Sequence, residues 1–219
     1  AIRHMSGGQF SVPLVIRMAT GAGRQLAAQH SHSLENWYAH VPGIKVVAPA
    51  TVADARGILW TALEDPDPVA IFEHALLYND EGEVPNGDDL SVPLEGASIC
   101  RAGGDITVIT YGGSLKKTLT AADELARENI ECEVIDPSSL RPLDDVTILA
   151  SVGKTRRAVI VDEGWRAGSL AAEISARIME GAFFSLECVN RQGSFAALHH
   201  PVIPDLENDD TPRAPGNVS

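Results

Sequence analysis

Two histidines early in the chain have the surroundings that proton-transfer chemistry needs. His30 and His32 follow a glycine-containing stretch, residues 20–23, and precede a short predicted helix at residues 34–40. Imidazole is the side chain whose unperturbed pKa suits proton transfer near neutral pH, and glycine lets the backbone approach a ligand closely. His30 is the catalytic candidate, with a hydrogen-bonded packing role as the alternative. We interpret His32 as a surface or supporting residue, and Ser33 as the cap of the helix.

Other polar groups follow predicted strands but favour structural roles. Glu73-His74 follows a buried strand and is interpreted as part of an interface or linker. Residues 162–165, Asp-Glu-Gly-Trp, end a later strand, where the acidic groups can cap the next helix. His199-His200 lies in a tail segment, and two adjacent side chains point in different directions, so we expect no metal site there.

Several functional classes are excluded by missing motifs. The chain has no H-E-x-x-H, no G-x-S-x-G and no paired acid motif, which removes the support for a zinc hydrolase, serine hydrolase or glycosidase. It also lacks G-x-x-x-x-G-K and a complete G-x-G-x-x-G, the common nucleotide-binding loops. A formal net charge of −13 argues against nonspecific binding to nucleic acid.

Cysteine content and hydropathy indicate the compartment in which the protein is expected. Cys100, Cys132 and Cys188 are scattered, so neither a disulfide framework nor a zinc site is expected, and all three are predicted to be core thiols. No apolar run approaches the roughly 20 residues that cross a bilayer, and the start has no signal-peptide core. We therefore expect no membrane insertion and a reducing compartment.

Alternating strand and helix patterns predict the fold class. We expect α/β architecture with mostly parallel sheets covered by helices. Ligands in such sheets bind beyond the carboxyl ends of the strands. The predicted strands are residues 12–16, 45–48, 69–72, 106–111, 133–135 and 158–161, and the predicted helices are residues 34–40, 51–64, 114–128 and 170–179.

A polar stretch divides the chain. Residues 79–97 are rich in Asp, Glu, Gly and Pro, which is typical of a domain linker. We predict a first domain at residues 1–80, a linker at 81–98 and a second domain at 99–219, with an irregular tail from about 187. The last part of that tail, residues 205–219, is predicted to be frayed.

Several stretches taken together resemble the β subunit of thiamine-diphosphate-dependent 2-oxo acid dehydrogenases, members of the transketolase superfamily. The similarity is to β subunits that act on pyruvate, acetoin or branched-chain 2-oxo acids. It runs from residue 1 to about Leu186, after which the chain departs from the family pattern. The matching stretches are Met5-Ser6-Gly7-Gly8, Val12-Pro13-Leu14-Val15-Ile16-Arg17, Ala28-Gln29-His30-Ser31, residues 37–47 (WYAHVPGIKVV), Glu131-Cys132-Glu133-Val134-Ile135-Asp136 and Leu140-Arg141-Pro142-Leu143.

The resemblance implies two three-layer α/β/α domains, the later part of a pyrimidine-side domain and a transketolase C-terminal-like domain. It implies an α2β2 heterotetramer in which the α subunit supplies the diphosphate and magnesium site, while this chain covers the aminopyrimidine of thiamine diphosphate. His30 matches the family's active-site histidine, and no other cofactor-binding residue is assigned. The activating glutamate of the family lies in an earlier segment, so this chain alone is expected to be inactive.

The implied activity is oxidative decarboxylation of pyruvate or a related 2-oxo acid, followed by reductive acylation of the lipoyl group on an acyltransferase core. The implied location is the cytoplasm, or an organelle matrix if the source is eukaryotic. Residues 79–85 favour pyruvate or acetoin relatives. Alternatives are a transketolase or deoxyxylulose-phosphate synthase fragment, and a noncatalytic subunit that retains only assembly surfaces.

The resemblance also implies a potassium ion bound mainly by backbone carbonyls. Asp67 stands where an asparagine is common, and residues 65–68, Asp-Pro-Asp-Pro, equally indicate a simple helix-ending turn. The matching positions are Leu14, Ala62, Leu63, Asp65 and Asp67.

Overall fold

The computed structural model describes residues 2–24, 27–84, 91–187 and 195–199. Two sheets organise them, one of four strands in the order β1-β3-β2-β7 and one of five in the order β4-β6-β5-β8-β9. The strands are β1 Val15–Thr20, β2 Lys45–Val47, β3 Val69–His74, β4 Ser98–Arg101, β5 Ile106–Thr110, β6 Cys132–Asp136, β7 Ser139–Arg141, β8 Ala158–Asp162 and β9 Phe195–His199. The helices are α1 Ile2–Met5, α2 Glu35–Ala39, α3 Val52–Glu64, α4 Ser114–Ala126, α5 Asp145–Thr155 and α6 Leu170–Ala182, with 3₁₀ turns at Ala28–His30, Ala75–Asn79 and Phe183–Ser185.

The first sheet is buried on both faces. Along β3, Val69 and Ile71 pack on one side against α3, whereas Ala70 and Phe72 pack on the other side with Ala39 of α2. Strands β1, β3 and β2 are parallel. A continuous apolar strand such as β3 is expected where helices cover both faces of a parallel sheet.

The second sheet repeats this arrangement with different helices. Ile109, Ile135 and Ile160 pack against α5 and α6, and Val108 and Val134 pack on the opposite face against α4. Strands β6, β5, β8 and β9 are parallel, and only β4 is antiparallel to its neighbour. The predicted α/β class with mostly parallel sheets is confirmed.

The two sheets share chain segments. Strand β7, which follows β6, leaves the second sheet and pairs antiparallel with β2 in the first, with Val46 opposite Arg141. The predicted linker is also partly core, since Leu94 is 4% exposed and packs with Ile58 and Ile71. The predicted domain boundaries themselves stay a prediction.

Several local predictions are corrected. Strand β1 begins at Val15 rather than Val12, because Pro13 has no N–H to donate and the Val12 N–H bonds the Pro66 carbonyl instead. Ser33 does not cap α2; Leu34 is the N-cap and supplies no side-chain bond. The prediction that Cys100 is a core thiol is wrong, because it is exposed on the edge strand β4.

The tail is partly regular. Residues 195–199 form β9, parallel to β8, so the prediction of an irregular tail from about 187 is wrong there. The predicted frayed end at residues 205–219, as well as Cys188 and His200, lies outside the described residues. None of the described helices is long and apolar enough to cross a membrane.

Candidate functional site at the carboxyl edges of the two sheets

The carboxyl ends of strands from both sheets meet. Thr20 ends β1, His74 ends β3 and Asp162 ends β8, and all three side chains are buried. Their neighbours complete a cluster that we call the polar junction, consisting of Thr20, Glu35, His74, Tyr111, Asp162 and Glu163. The edge where a parallel sheet normally binds ligands is therefore partly filled by the second sheet.

An imidazole–carboxylate pair forms the centre of the polar junction. His74 is 5% exposed, and its Nε2 lies 2.6 Å from Oε2 of Glu163. The His74 Nδ1 accepts from the Leu76 N–H at 3.3 Å, so the ring proton belongs on Nε2, which donates to Glu163. Lys117 donates to Glu163 at 3.1 Å. Burial raises the pKa of Glu163, but the hydrogen bonds from His74 and Lys117, together with the Lys117 charge, outweigh it and lower the pKa to about 2.

Two glycines make room for the His74 ring. A Cβ on Gly21, which has φ +84°, would lie 2.1 Å from the ring, and a Cβ on Gly113 would lie 2.5 Å from it. Real Cβ atoms do not approach that closely, so any side chain at either position would displace His74. The interpretation of Glu73-His74 as an interface is confirmed for His74.

Asp162 links Tyr111 to the start of α6. The Tyr111 hydroxyl donates to Asp162 Oδ1 at 2.8 Å, and the Ala171 N–H donates to Oδ2 at 3.1 Å. Burial, followed by the Asp162 charge, raises the pKa of Tyr111 well above its ordinary value, so the hydroxyl remains a donor. The interpretation of Asp162 as a group that binds the following helix is confirmed, since a carboxylate is stabilised by free N–H groups at a helix start.

Glu35 is the third carboxyl group of the polar junction, and no basic side chain pairs with it among the described residues. It is 4% exposed, and its Oε1 accepts from the Thr20 hydroxyl at 2.6 Å. Burial raises the pKa of Glu35 to about 7, with a smaller contribution from the negative charge of Asp162. Glu35 therefore exchanges a proton near neutral pH.

His30 lies on the outer side of the same edge. It belongs to the exposed 3₁₀ turn Ala28–His30, whose entry residue Ala27 has φ 65°. Its backbone N–H bonds the Ala27 carbonyl at 3.3 Å, and its ring makes no hydrogen bond to any residue that the structure describes. The ring is thus open to a ligand, which argues against the packing alternative. Catalysis by His30 stays a prediction.

His32 supports this turn rather than extending the site. Its ring packs edge-on against Trp165, with the ring centroids 5.8 Å apart. Its carbonyl accepts from the backbone N–H of Gly21 at 3.2 Å and lies 3.3 Å from the Thr20 hydroxyl. The predicted supporting role is therefore the one the contacts favour.

The space inside the polar junction decides where a cofactor could bind. It encloses about 20 Å³, which is room for one water molecule and far too little for an aromatic ring. A pyrimidine or thiazolium ring would therefore have to bind outside the polar junction. In the described ranges no group of three or more His, Cys, Asp or Glu side chains is arranged to hold a metal ion.

The five predicted potassium positions include backbone carbonyls with unused capacity. Within the described ranges, the Leu14 carbonyl accepts only the Val69 N–H, at 2.8 Å, and the Ala62 carbonyl accepts the Asp65 N–H in the turn that ends α3. A carbonyl oxygen has two lone pairs, so a cation could still bind each. The carboxylate of Asp65 does not fit this role, because Lys45 Nζ lies 2.6 Å from it. The Asp67 carboxylate likewise has a cationic neighbour, since Arg3 Nη1 lies 3.5 Å from its Oδ1. Leu63 could contribute only its backbone carbonyl to such a site.

Three members of the polar junction were not predicted from the sequence. Thr20 and Tyr111 do follow the rule that residues ending strands of a parallel sheet face the ligand edge, so their position was a usable signal. Glu35 carried no such signal, because an acidic residue in the first turn of a helix is ordinary.

Comparison with known proteins gives a consistent family. Residues 1–81 match the model for the transketolase pyrimidine binding domain, and residues 95–206 match the model for the transketolase C-terminal domain. Among curated proteins, the chain is 44% identical over 184 residues to "Pyruvate dehydrogenase E1 component subunit beta" of Rhizobium meliloti, covering 84% of this chain and 40% of that one. It is 42% identical over 214 residues to the mitochondrial protein of the same name from Drosophila melanogaster, covering 96% of this chain and 59% of that one.

Another relative is named for a different substrate. The chain is 45% identical over 185 residues to "Acetoin:2,6-dichlorophenolindophenol oxidoreductase subunit beta" of Cupriavidus necator, covering 84% of this chain and 54% of that one. The chain thus spans about half the length of the curated relatives it matches. A solved structure titled "Split gene transketolase, inactive beta4 tetramer" is similar with a TM-score of 0.63 and 24% identity, covering 84% of this chain and 56% of that one, which supports the fold alone.

Proposed function

Because the chain belongs to the transketolase family, whose C-terminal domain model it matches over residues 95–206, we propose that it is a β subunit of a thiamine-diphosphate-dependent 2-oxo acid dehydrogenase. The proposed reaction is oxidative decarboxylation of pyruvate or a related 2-oxo acid, with transfer of the acyl group to a lipoyl carrier. Relatives named as pyruvate dehydrogenase E1 β subunits, 41–44% identical over at least 84% of this chain, support the proposal.

The observation that carries the proposal is the exposure of His30. Of the described histidines at the carboxyl edge of the first sheet, His74 is buried and paired and His32 packs on Trp165, whereas His30 is exposed and its ring bonds none of the described residues. An imidazole that neither packs nor pairs adds little to stability but is suited to proton transfer. We assign His30 as the catalytic residue of this chain.

The roles of the chain follow from this geometry. Thiamine diphosphate, when bound, supplies the nucleophilic carbon to which a 2-oxo acid adds before it loses CO₂. His30 would give or take a proton at the acyl and lipoyl groups beside that carbon. The polar junction holds the two sheets so that the turn bearing His30 keeps its place. The diphosphate and its Mg²⁺ would be held by a partner, since the described residues of this chain offer no magnesium ligand cluster.

The proposed partners are an α subunit, in an α2β2 assembly, and a lipoyl acyltransferase core. The exposed edge around His30 is half of a site, because none of the described residues forms a hydrogen bond with its ring. The chain alone is therefore expected to be inactive. We place the protein in the cytoplasm, or in the matrix if its source is eukaryotic, as the mitochondrial names of two relatives suggest.

Acetoin is the second candidate substrate. The acetoin relative is 45% identical and the first pyruvate relative 44%, so identity does not separate them. The two proposals share the cofactor and His30 and differ only in the substrate.

Purification of the natural gene product with its partners tests the proposal. We expect a tagged protein to bring down an α subunit and a lipoyl acyltransferase, identified by mass spectrometry, and the acyltransferase to indicate the substrate. Recovery of the α subunit without any thiamine-dependent activity would favour a noncatalytic assembly subunit. Recovery of neither partner would contradict the proposal.

The potassium site is proposed for the carbonyls of the five predicted positions, supported by the unused lone pairs of Leu14 and Ala62. Bound K⁺ would brace the turn after α3, where the chain enters β3. Lys45 already holds the Asp65 carboxylate, so carbonyl oxygens would supply the ligands.

A further inference from the structure

Among the described residues, the segment that carries His30 is hydrogen-bonded to the end of β1 through the His32 carbonyl, which anchors it. The His32 carbonyl accepts from the Gly21 N–H at 3.2 Å and lies 3.3 Å from the Thr20 hydroxyl oxygen. His30 is only two residues before this anchor. The strength of the anchor therefore sets how firmly the turn at residues 28–30 is held against the sheet.

The Thr20 hydroxyl faces two acceptors but has one proton. The nearer acceptor is Glu35 Oε1 at 2.6 Å, and the farther is the His32 carbonyl at 3.3 Å. An ionised Glu35 takes the hydroxyl proton, because a charged acceptor forms the stronger bond. The His32 carbonyl is then left with the Gly21 N–H alone.

Protonation of Glu35 reverses the direction of the hydrogen bond between Thr20 and Glu35. A neutral carboxyl group donates its own proton to Thr20 Oγ1, which has lone pairs to accept it. The Thr20 hydroxyl proton is then released to the His32 carbonyl. The anchor gains a second hydrogen bond only in this state.

The surroundings of Glu35 favour the neutral state. The negative charge of Asp162 at the end of β8 raises the pKa of Glu35, whereas His74 at the end of β3 lowers it. Tyr111, after β5, donates its proton to Asp162 and offers none to Glu35. Burial is the largest contribution and raises the pKa of Glu35 to about 7, so both states are populated near neutral pH.

We propose that Glu35 is a positioning residue for His30. When Glu35 is protonated, the Thr20 hydroxyl donates to the His32 carbonyl, and this hydrogen bond fixes the His30 turn to β1. This inference rests on the proposed function for its catalytic consequence, but the hydrogen-bond switch itself does not. The two can therefore be tested separately.

Hydrogen exchange of the Gly21 amide, in the full chain assembled with its partner, measures whether the Thr20-to-His32 hydrogen bond is formed. After correction for the intrinsic rate, we expect exchange to be about fivefold faster at pH 8 than at pH 6, the factor for one neutral hydrogen bond lost from the anchor. Glu35→Gln should remain slow at both pH values, because its amide always donates to Thr20. Thr20→Val should be fast at both, and Thr20→Ser should restore the wild-type dependence.

Glu180→Gln is the matched control, because Glu180 is exposed on α6 and lies outside the polar junction. It should keep the wild-type profile. Identical profiles for wild type and Glu35→Gln would overturn the switch.

The catalytic consequence is read from the pH profile of acyl transfer to the lipoyl carrier. Between pH 6 and pH 8, we expect the kcat of the wild type to fall relative to the kcat of Glu35→Gln. The factor should be similar to the change in the Gly21 exchange rate, and KM for the 2-oxo acid should be unchanged. A Gly21 exchange effect with superimposable kcat profiles would overturn the positioning role. Absence of any thiamine-dependent turnover in the wild type, with the exchange effect intact, would contradict the proposed function and leave the switch standing.

Discussion

Two of the histidines at the carboxyl edge of the first sheet have opposite environments. His74, at the end of β3, is buried, donates to Glu163 at 2.6 Å and is enclosed by glycines that leave no room for a Cβ. His30, in the segment after β1, is exposed, with a ring that bonds nothing among the described residues. The same side chain thus joins two sheets in one place and is left available for chemistry in the other. Stability and activity should respond to different substitutions.

The largest effect is expected at His30. His30→Ala in the assembled enzyme should lower kcat for lipoyl acylation roughly 10²–10⁴-fold, the usual contribution of a general acid or base. Its free energy of unfolding should stay within about 0.5 kcal/mol of wild type, because the ring is exposed. Near-normal acyl transfer, measured beside His40→Ala as an exposed control, would remove His30 from catalysis.

His74→Ala should show the reverse pattern. It removes the His74 donor from the Glu163 carboxylate, which keeps Ser114 and Lys117, so we expect a loss of about 1.5–3 kcal/mol, the contribution of a hydrogen bond to a charged group. Denaturant unfolding of the assembled protein would measure the loss. A change below about 1 kcal/mol would mean that the polar junction does not hold the sheets together.

Acid should act through Glu163. Its pKa is about 2 in the folded chain and roughly 4.3 in an unfolded one, so its contribution is complete above about pH 4.3 and is lost as the pH falls toward 2. The contribution amounts to about 3 kcal/mol for a shift of this size. Urea midpoints between pH 2.5 and pH 5 should therefore fall more steeply for wild type than for Glu163→Gln. Parallel curves would contradict the pairing with His74.

Potassium should have the smallest effect. At equal ionic strength, K⁺ should raise the melting temperature more than Li⁺, by a few degrees, because ligand binding to the folded state adds to its stability. Lys45→Met should weaken the turn after α3. The rise in melting temperature caused by K⁺ should remain, because the proposed ligands are carbonyls. Identical melting curves in the two salts would count against the site.

Much of the fold could be predicted from local patterns. The apolar run at Val69–Phe72 has strand length, and Thr51 with Asp54 marks the start of α3, where the Asp54 N–H does bond the Thr51 hydroxyl. The helix-ending turn after Glu64 also follows from its prolines. These features depend on neighbours within a few residues, which is why one sequence suffices for them.

The missed features depend on distant partners. Strand β7 has only three residues and exists because β2, over 90 positions earlier, offers an open edge. Helix α5 was missed because its apolar face is short, although Asp144 caps it by accepting from the Thr147 N–H. The His74–Glu163 bond spans 89 positions, so neither residue alone indicated its partner.

Prediction of the candidate site could use only local signals. His30 was chosen because its residue type and its place after a strand indicate chemistry, and the motif around it resembles a known family; its catalytic role stays a prediction. Glu35 was missed because its importance comes from burial beside Thr20 and Asp162, which only the packed structure shows.

The most direct test of the account is the activity of the chain assembled with its α subunit, with thiamine diphosphate and Mg²⁺ added or withheld. Pyruvate and acetoin would be supplied in parallel, with a dye as electron acceptor and a lipoyl domain as acyl acceptor. We predict cofactor-dependent oxidation of one of the two, and lipoyl acylation that His30→Ala abolishes. An assembled complex that oxidises neither, or one in which His30→Ala transfers acyl groups as fast as wild type, would contradict it.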